Sequence, residues 1–344
     1  MSPSKLRLAV LMGGVSEEHG VSVASGRAVI RNADYGKYLL RPVVIGQEGR
    51  WYFSRRFLEQ PENLNLLFWE GVDLGEAIVR LQREIDLVFI VLHGPYGEDG
   101  RIQSLLELAG IAYTCSGVLA SSIAMDKDIF RKIMLAENII IPRGWTFTQK
   151  EWNKNRQLIL RKASLFPSWV LKPASSGSSF GIFLGEGLSS LEEVVDQAFS
   201  IGEKLIIEER IWGKEVTCGV LGGGKEPPQA LPPVLIVPQK RDFFDFFSKY
   251  TPGATQEITP APLVPALTQA IQKMALRIHQ LLGCRGMSRV DFMVQEKSDT
   301  IYVLELNTIP GLTDNSLIPK ECRAQGLSFS QLIDFLVTDA LSVF

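Results

Sequence analysis

Closely spaced cysteine pairs are missing from this chain. Its four cysteines, Cys115, Cys218, Cys284 and Cys322, stand far apart and make no CxxC. That argues against a zinc site or a disulfide framework, and free buried thiols in a reducing compartment are expected. No apolar run approaches the ~18 residues of a membrane-spanning helix. The N-terminal run Leu8–Met12 is too short for the core of a secretion signal. A cytoplasmic location with no membrane partner is therefore expected. Excess charge of one sign is also lacking, with 36 Lys+Arg against 38 Asp+Glu and a formal net charge of -2. No bulk positive field favours nucleic acid, so an anionic substrate has to be met by cations placed locally. The common nucleotide motifs are absent too. Lysine follows glycine at Gly36-Lys37, Gly213-Lys214 and Gly224-Lys225, but Ser or Thr never comes next, so there is no P-loop. No GxGxxG follows a strand.

What is present reads as a soluble enzyme. The chain has 344 residues, 46% hydrophobic and 22% charged, enough for two or three domains. Apolar runs at Leu6–Met12, Leu40–Ile45 and Leu87–Leu92 alternate with helical periodicity at Ser22–Ala33, Asp73–Arg83 and Ile102–Ala109. This alternation predicts a parallel α/β sheet covered on both faces. Gly13-Gly14 and His93-Gly94 fall at strand ends, where ligands of such sheets bind. A helix is predicted over Asp126–Asn138. Beyond it, a small α+β unit carries strands at Trp169–Lys172 and Phe180–Leu184 and capping boxes at Thr148 and Ser190. Strands at Lys204–Glu209, Glu215–Leu221, Leu235–Val237, Gly286–Val294 and Thr300–Leu306 follow, with a long helix at Val264–Leu282 and a last helix at Phe329–Phe344. Lys240–Pro260 lacks periodicity, as a functional lid or a disordered segment would.

The strongest chemical cluster lies near the C-terminus. Strand alternation sends Arg289 and Asp291 to one face, and Glu305 and Asn307 likewise. If the two strands pair, two carboxylates, an amide oxygen and a guanidinium share one patch, beside Val290, Phe292, Val303, Leu304 and Leu306, which read as buried. Oxygen donors of this kind suit Mg²⁺; the competing reading is a surface ion-pair ladder. Gly311, in TIPGLTDNS, offers a backbone donor, and Asp314, Asn315 or Ser316 is placed to cap a following helix, a ready anion site. Lys172 ends a strand before the loop SSGSSFG, a reasonable phosphate cradle or an ordinary solvated loop. Lys127 is weaker alone. His93 reads equally well as a site residue or as a satisfied structural histidine, and His279 as structural. Glu17 and Glu18 serve either a ligand or the dipole of the helix that follows.

Together these segments resemble the D-alanine–D-alanine ligases of the ATP-grasp superfamily. Seven stretches match in order: LMGGVSEEHGVS, VLHGPYGEDGRIQSLLELAGIAYTCSGVLASSIAMDK, VLKPASSGSSFG, IIEERIWGKEVT, FFDFFSKY, SRVDF and ELNTIPGLTDNS. The resemblance implies an α/β fold: a Rossmann-like N-terminal domain (1–121), then a two-part ATP-grasp module made of a central subdomain (122–205) and a C-terminal catalytic domain (206–344) whose character is α+β. It implies ligation of two D-alanines through an acyl phosphate, with ATP as co-substrate and two Mg²⁺ or Mn²⁺ ions, in peptidoglycan precursor synthesis, and a homodimer. By the same resemblance, Lys127, Lys172, Ser179 and Lys249 serve the ATP phosphates, while Glu208 and Glu215 sit near adenine and ribose. Asp291, Glu305 and Asn307 hold the metal ions. Arg289 and the Gly311 N–H stabilise the oxyanion. Glu18 pairs with the first ammonium beside His93, and Ser316 and Leu317 receive the second carboxylate. Tyr250 joins Glu18 and Ser178 in a bridge that closes the lid.

The chain departs from the pattern in two places. His19-Gly20 follows Glu18 where the family usually has a basic residue and then an acid, so a looser loop is expected there. The lid has phenylalanines where tyrosine is common. Two other readings compete: a carboxylate–amine ligase of the same superfamily with different substrates, and an inactive nucleotide-binding relative. VSEEHGVS and TDNS argue against the first, and the intact metal-ligand set against the second.

Overall fold

The computed structural model describes residues 5–61, 69–175, 181–239 and 255–344. Of the residues singled out in the sequence, Ser178, Ser179, Lys249 and Tyr250 lie outside them.

The first part is built on β1 (Leu6–Gly13), α1 (His19–Asn32), β2 (Tyr38–Ile45), β3 (Trp51–Ser54), β4 (Trp69–Val72), α2 (Leu74–Glu84) and β5 (Leu87–Ile90), followed by α3 (Arg101–Leu108). β1 pairs in parallel with β2 and β5, as alternation predicts, and its residues from Leu8 to Met12 are buried. The sheet is nevertheless mixed. Its order is β4-β3-β2-β1-β5, and β3 and β4 return antiparallel. β4 at the edge and β3 beside it are four residues each, too short to register as a period-2 pattern. Gly13 ends β1 at φ +89°, where a Cβ would lie 2.3 Å from the Ile45 carbonyl. Only glycine turns the chain off the sheet there.

Next come α4 (Val118–Met125), α5 (Lys127–Ala136), β6 (Gly144–Thr148), α6 (Gln149–Ala163), β7 (Ser168–Pro173), β8 (Phe183–Glu186), α7 (Gly187–Phe199) and β9 (Lys204–Glu209). The four strands form an antiparallel sheet in the order β6-β9-β7-β8. Thr148 makes the capping box expected with Glu151. Ser190 does not cap: α7 begins three residues earlier, and the Ser190 hydroxyl lies inside it, donating back to the Glu186 carbonyl. Glycine at Gly187, with φ +69°, starts that helix without a side-chain cap.

The last part contains β10 (Gly213–Leu221), β11 (Gln229–Ala230), β12 (Val234–Pro238), β13 (Thr255–Ile258), α8 (Pro265–Leu281), β14 (Met287–Gln295), β15 (Ile301–Asn307), α9 (Leu317–Ala324) and α10 (Phe329–Leu341). The sheet order is β13-β12-β10-β14-β15, with β11 beside β10. α8 lays Ile271, Ala275 and Ile278 against Val216, Val290 and Phe292. α4 and α5 share this core through Ala120, Phe130 and Met134, whereas β7 and β9 pack Trp169, Leu171 and Leu205 in a separate one. α10 reaches back to the first sheet, placing Leu332 and Leu336 with its core residues. All four cysteines are free and buried, as expected, and no described helix is long and apolar enough to cross a membrane.

Candidate active site

β14 alternates as its sequence predicts. Ser288, Val290, Phe292 and Val294 are buried, while Arg289 and Asp291 point to the other face. Pairing with β15 sets Arg289 opposite Asn307 and Asp291 opposite Glu305. The register then slips, so that Phe292 pairs with Val303 and Leu304 becomes an extra residue. This bulge corrects one expectation. Leu304 is not in the core: it turns, with Glu305, toward a cleft. Bulges commonly re-aim a side chain next to a site in this way.

The cleft is a cavity of about 370 Å³ between the four-stranded and six-stranded sheets. Five predicted residues line it: Lys172 and Glu208 from one sheet, and Glu215, Asp291 and Glu305 from the other. Its walls also include Val170, Ile211, Trp212 and Met293, apolar surface of the kind that holds a planar ring. Arg210 stacks on Trp212 at 3.8 Å.

Several charges in and around the cleft are paired. Lys172 Nζ lies 2.8 Å from Glu208 Oε2, and Glu208 Oε1 takes the Arg131 guanidinium; all three side chains are buried. Lys127 Nζ lies 3.3 Å from Glu305. Asp291 accepts from Arg289 through both oxygens at 2.8 Å and from Thr217 Oγ1 at 2.6 Å. Burial opposes the charge on Arg289, but Asp291 and Glu305 outweigh it and hold the guanidinium firmly protonated. Asn307 Oδ1 accepts from the Ile309 N–H at 2.8 Å. Two carboxylates and an amide oxygen on adjacent register positions offer hard oxygen donors with spare lone pairs, which fit Mg²⁺ or Mn²⁺.

A second group gathers at the ends of β1 and β5. Glu18 occupies the N-cap position of α1 but makes no side-chain cap bond; it is buried and lies against Gly94, where a Cβ would fall 2.5 Å from its Oε2. His93 is buried with both ring nitrogens engaged. Nδ1 donates to the Ile309 carbonyl at 3.1 Å, so Nε2 accepts from Ser25 Oγ at 3.2 Å. Ser25 in turn accepts from the Leu312 N–H. Burial lowers the His93 pKa and keeps the ring neutral. His19 Nδ1 donates to the Gly14 carbonyl at 2.8 Å, so the residue after Glu18 braces the loop that Gly20 was expected to loosen. A Cβ at Gly20 would meet nothing within 4 Å.

Ser316 is the N-cap residue of α9, yet its Oγ faces away from the helix, accepting from the Thr313 N–H at 2.9 Å and sharing a bond with Thr313 Oγ1. Gly311 approaches this hydroxyl so closely that a Cβ would lie 3.0 Å from it. Leu317 opens the helix and packs on Val234 and Ile236. His279 is structural as expected, bonded to Ser288 Oγ and the Gly222 carbonyl.

Sequence reasoning missed Arg131, Thr217, Ser25 and Glu98. Arg131 sits on the inner face of α5 four residues after Lys127, a spacing that reads as ordinary helix surface. Glu98 lies within HGPYGEDG, where only His93 was singled out. It is buried, accepts from the Gly94 N–H at 2.6 Å, and is pushed up to about 8 by burial and by Glu18.

Known proteins resemble this chain along its whole length. Family models described as D-ala D-ala ligase N-terminus and C-terminus match residues 7–116 and 134–338. A D-alanine–D-alanine ligase of Caldicellulosiruptor bescii is 36% identical, over 98% of this chain and 96% of its own. Among solved structures, the VanG D-Ala:D-Ser ligase of Enterococcus faecalis superposes with a TM-score of 0.85 at 33% identity, covering 98% of this chain and 100% of the other. The Bacillus anthracis D-alanine–D-alanine ligase complexed with ATP gives 0.78 at 31%, covering 99% and 98%. With both family models matched and full-length relatives above 30% identity, the chain belongs to the D-alanine–D-alanine ligase family and has its ATP-grasp fold.

Proposed function

We infer that the chain joins two D-alanines at the expense of ATP, giving D-alanyl-D-alanine, ADP and phosphate, for peptidoglycan precursors. The observation that carries this is the single cleft in which Lys172, Glu208, Glu215, Asp291 and Glu305 converge from two sheets, with Arg289 bound to Asp291. We take its three parts as 1–121, 122–209 and 210–344, the second boundary set past Glu209 rather than at 205 because β9 pairs with β6 and β7. A homodimer in the cytoplasm completes the proposal.

In this reading ATP lies in the cleft, its base against the apolar wall near Glu208 and its ribose near Glu215, and its phosphates meet Lys127 and Lys172. Asp291, Glu305 and Asn307 would hold two Mg²⁺ or Mn²⁺ ions, which neutralise phosphate charge when bound. Glu18 takes the ammonium of the first D-alanine, and His93 fixes the adjoining loop. The carboxylate oxygen of that D-alanine attacks the γ-phosphorus and ADP leaves. The second D-alanine, its carboxylate at Ser316 and Leu317, then attacks the acyl carbon through its amine. The tetrahedral oxyanion faces Arg289 and the Gly311 N–H, and phosphate departs with the proton that the amine gives up. Preset donors of this kind favour the transition state because they need no reorientation.

The test is phosphate release on mixing the protein with Mg-ATP and D-alanine, with L-alanine as control. Release with D-alanine alone supports the reading, since Glu18 and Arg289 fix two points of the substrate and leave room for one hand. Comparable release with L-alanine would favour another carboxylate–amine ligase.

A further inference from the structure

Lys127 stands between two aspartates, and one ammonium from a neighbouring strand gathers both. Lys204 Nζ lies 2.9 Å from Asp126 Oδ2, 3.2 Å from Asp126 Oδ1 and 3.2 Å from Asp128 Oδ2. Asp126 is also the N-cap of α5, accepting from the N–H groups of Asp128 and Ile129. Asp128 takes Thr146 Oγ1 at 2.7 Å and Lys132 Nζ at 2.9 Å. The main chain closes the ring: Lys127 N donates to the Ala174 carbonyl at 2.8 Å, and Ala174 N donates to the Lys204 carbonyl at 2.8 Å.

Lys204 thus holds two segments at once. Its carbonyl takes the end of β7, two residues beyond Lys172, and its ammonium takes the start of α5, which carries Lys127. These segments belong to different cores. α5 packs with the six-stranded sheet through Phe130 and Met134, and β7 packs with β9 through Leu171 and Leu205. Two carboxylates flanking one lysine repel each other unless a cation lies between them. Burial would raise Asp128, yet Lys132, Thr146 and Lys204 more than offset that and hold it at about 2. The carboxylate is therefore charged and available to the clamp at any physiological pH.

We propose that Lys204 is a positioning residue for nucleotide binding, setting the placement of Lys127 relative to Lys172 across the junction of two cores without touching ATP itself. The proposal rests on the reading of Lys127 and Lys172 as phosphate contacts. It makes the clamp a local requirement for triphosphate affinity, separate from the amino-acid sites at Glu18 and Ser316.

The experiment compares Lys204→Met, Lys204→Arg and Lys127→Met with the unmodified protein. It measures kcat and both KM values by phosphate release, Mg-ADP binding by calorimetry, and Tm. Lys204→Met is expected to raise the KM for ATP and weaken Mg-ADP binding about tenfold, a partly exposed network being worth little more, with the KM for D-alanine within about twofold. Lys204→Arg should restore nucleotide affinity to within about threefold, since it keeps the charge at similar reach. Unchanged nucleotide binding in Lys204→Met beside weakened binding in Lys127→Met overturns the clamp and leaves the phosphate reading standing. Unchanged binding in both overturns the two together. Parallel rises in both KM values with a lower Tm and no rescue by arginine would make Lys204 merely structural, which also overturns the proposal. Should Lys204→Met fail to fold, Thr146→Val, which removes one tie to Asp128, is expected to raise the KM for ATP alone by about threefold; no change there overturns the proposal.

Discussion

His93 Nδ1 donates to the carbonyl of Ile309 at 3.1 Å, across 216 positions of the chain. The bond ties the end of β5 in the first sheet to the segment after β15 in the last. Through Ser25 the same ring also reaches the Leu312 N–H. The loop carrying Glu18 and the segment carrying Gly311 and Ser316 are therefore joined by one hydrogen-bonded seam, although they come from opposite ends of the sequence.

Asp291 of the oxygen patch is held by Arg289 and Thr217. Asp291→Asn keeps the shape but loses the charge facing Arg289. Turnover is expected to fall by about 100-fold or more, since metal-assisted charge neutralisation is worth several kcal/mol. Tm should also drop, because a buried guanidinium loses its carboxylate. Phosphate release near the unmodified rate, measured below the new Tm, would refute the metal-site assignment.

Arg289 grips Asp291 through Nε and Nη2 together. Arg289→Lys retains charge but not this fork. The loss is expected in kcat, about 10²–10³-fold as for other oxyanion donors, with the KM for ATP little changed. A rise confined to the KM for ATP would remove Arg289 from the oxyanion role.

Glu98 gives a pH signature. Its folded pKa of about 8 is raised above the usual 4.5, so the folded state keeps a proton that the unfolded chain releases. Its contribution is fully present below pH about 4.5 and is lost as pH rises through about 8. Glu98→Gln keeps an acceptor for the Gly94 N–H and removes the titration. Chemical denaturation across this range should show a flatter stability profile for the variant, with the largest gain at the alkaline end. Identical profiles would mean that Glu98 is ionised in the fold.

Removing Glu208 exposes the opposite problem. Glu208→Ala leaves Lys172 and Arg131 buried with no shared carboxylate. Loss of one partner from a buried ion network costs about 3–5 kcal/mol. A denaturation midpoint unchanged by this substitution would show that the network is far wetter than its burial implies.

Ligation of two D-alanines, as proposed, makes an amine the second nucleophile. With D-alanine and D-lactate in competition at neutral pH, D-alanyl-D-alanine is the expected product. A dominant D-alanyl-D-lactate peak by mass spectrometry would reverse that reading.

Much of the site was legible because strand alternation is local. Arg289, Asp291, Glu305 and Asn307 follow from a period of two and from one pairing of neighbouring strands. Lys172 was marked by the proline and glycine-serine loop after it. The bulge at Leu304 was not legible, since a single inserted residue leaves no trace in a seven-residue strand. Nor was Ser190 as a helix-interior residue: its spacing to Glu193 satisfies the capping pattern, but Gly187 had already begun the helix.

The sequence by itself determined the element order, the family, and which residue types face the chemistry, because these depend on periodicity, turn residues and motif order. Tertiary structure alone decided which charges meet. Arg131 reaches Glu208 across 77 positions and Lys204 reaches Asp126 across 78. Glu98 becomes a weak acid only when burial and Glu18 surround it. Such pairings depend on desolvation and on distances between separate sheets. Neither is a property of any stretch of chain, and so packing alone settled how the lysines, carboxylates and guanidinium groups of this cleft are matched.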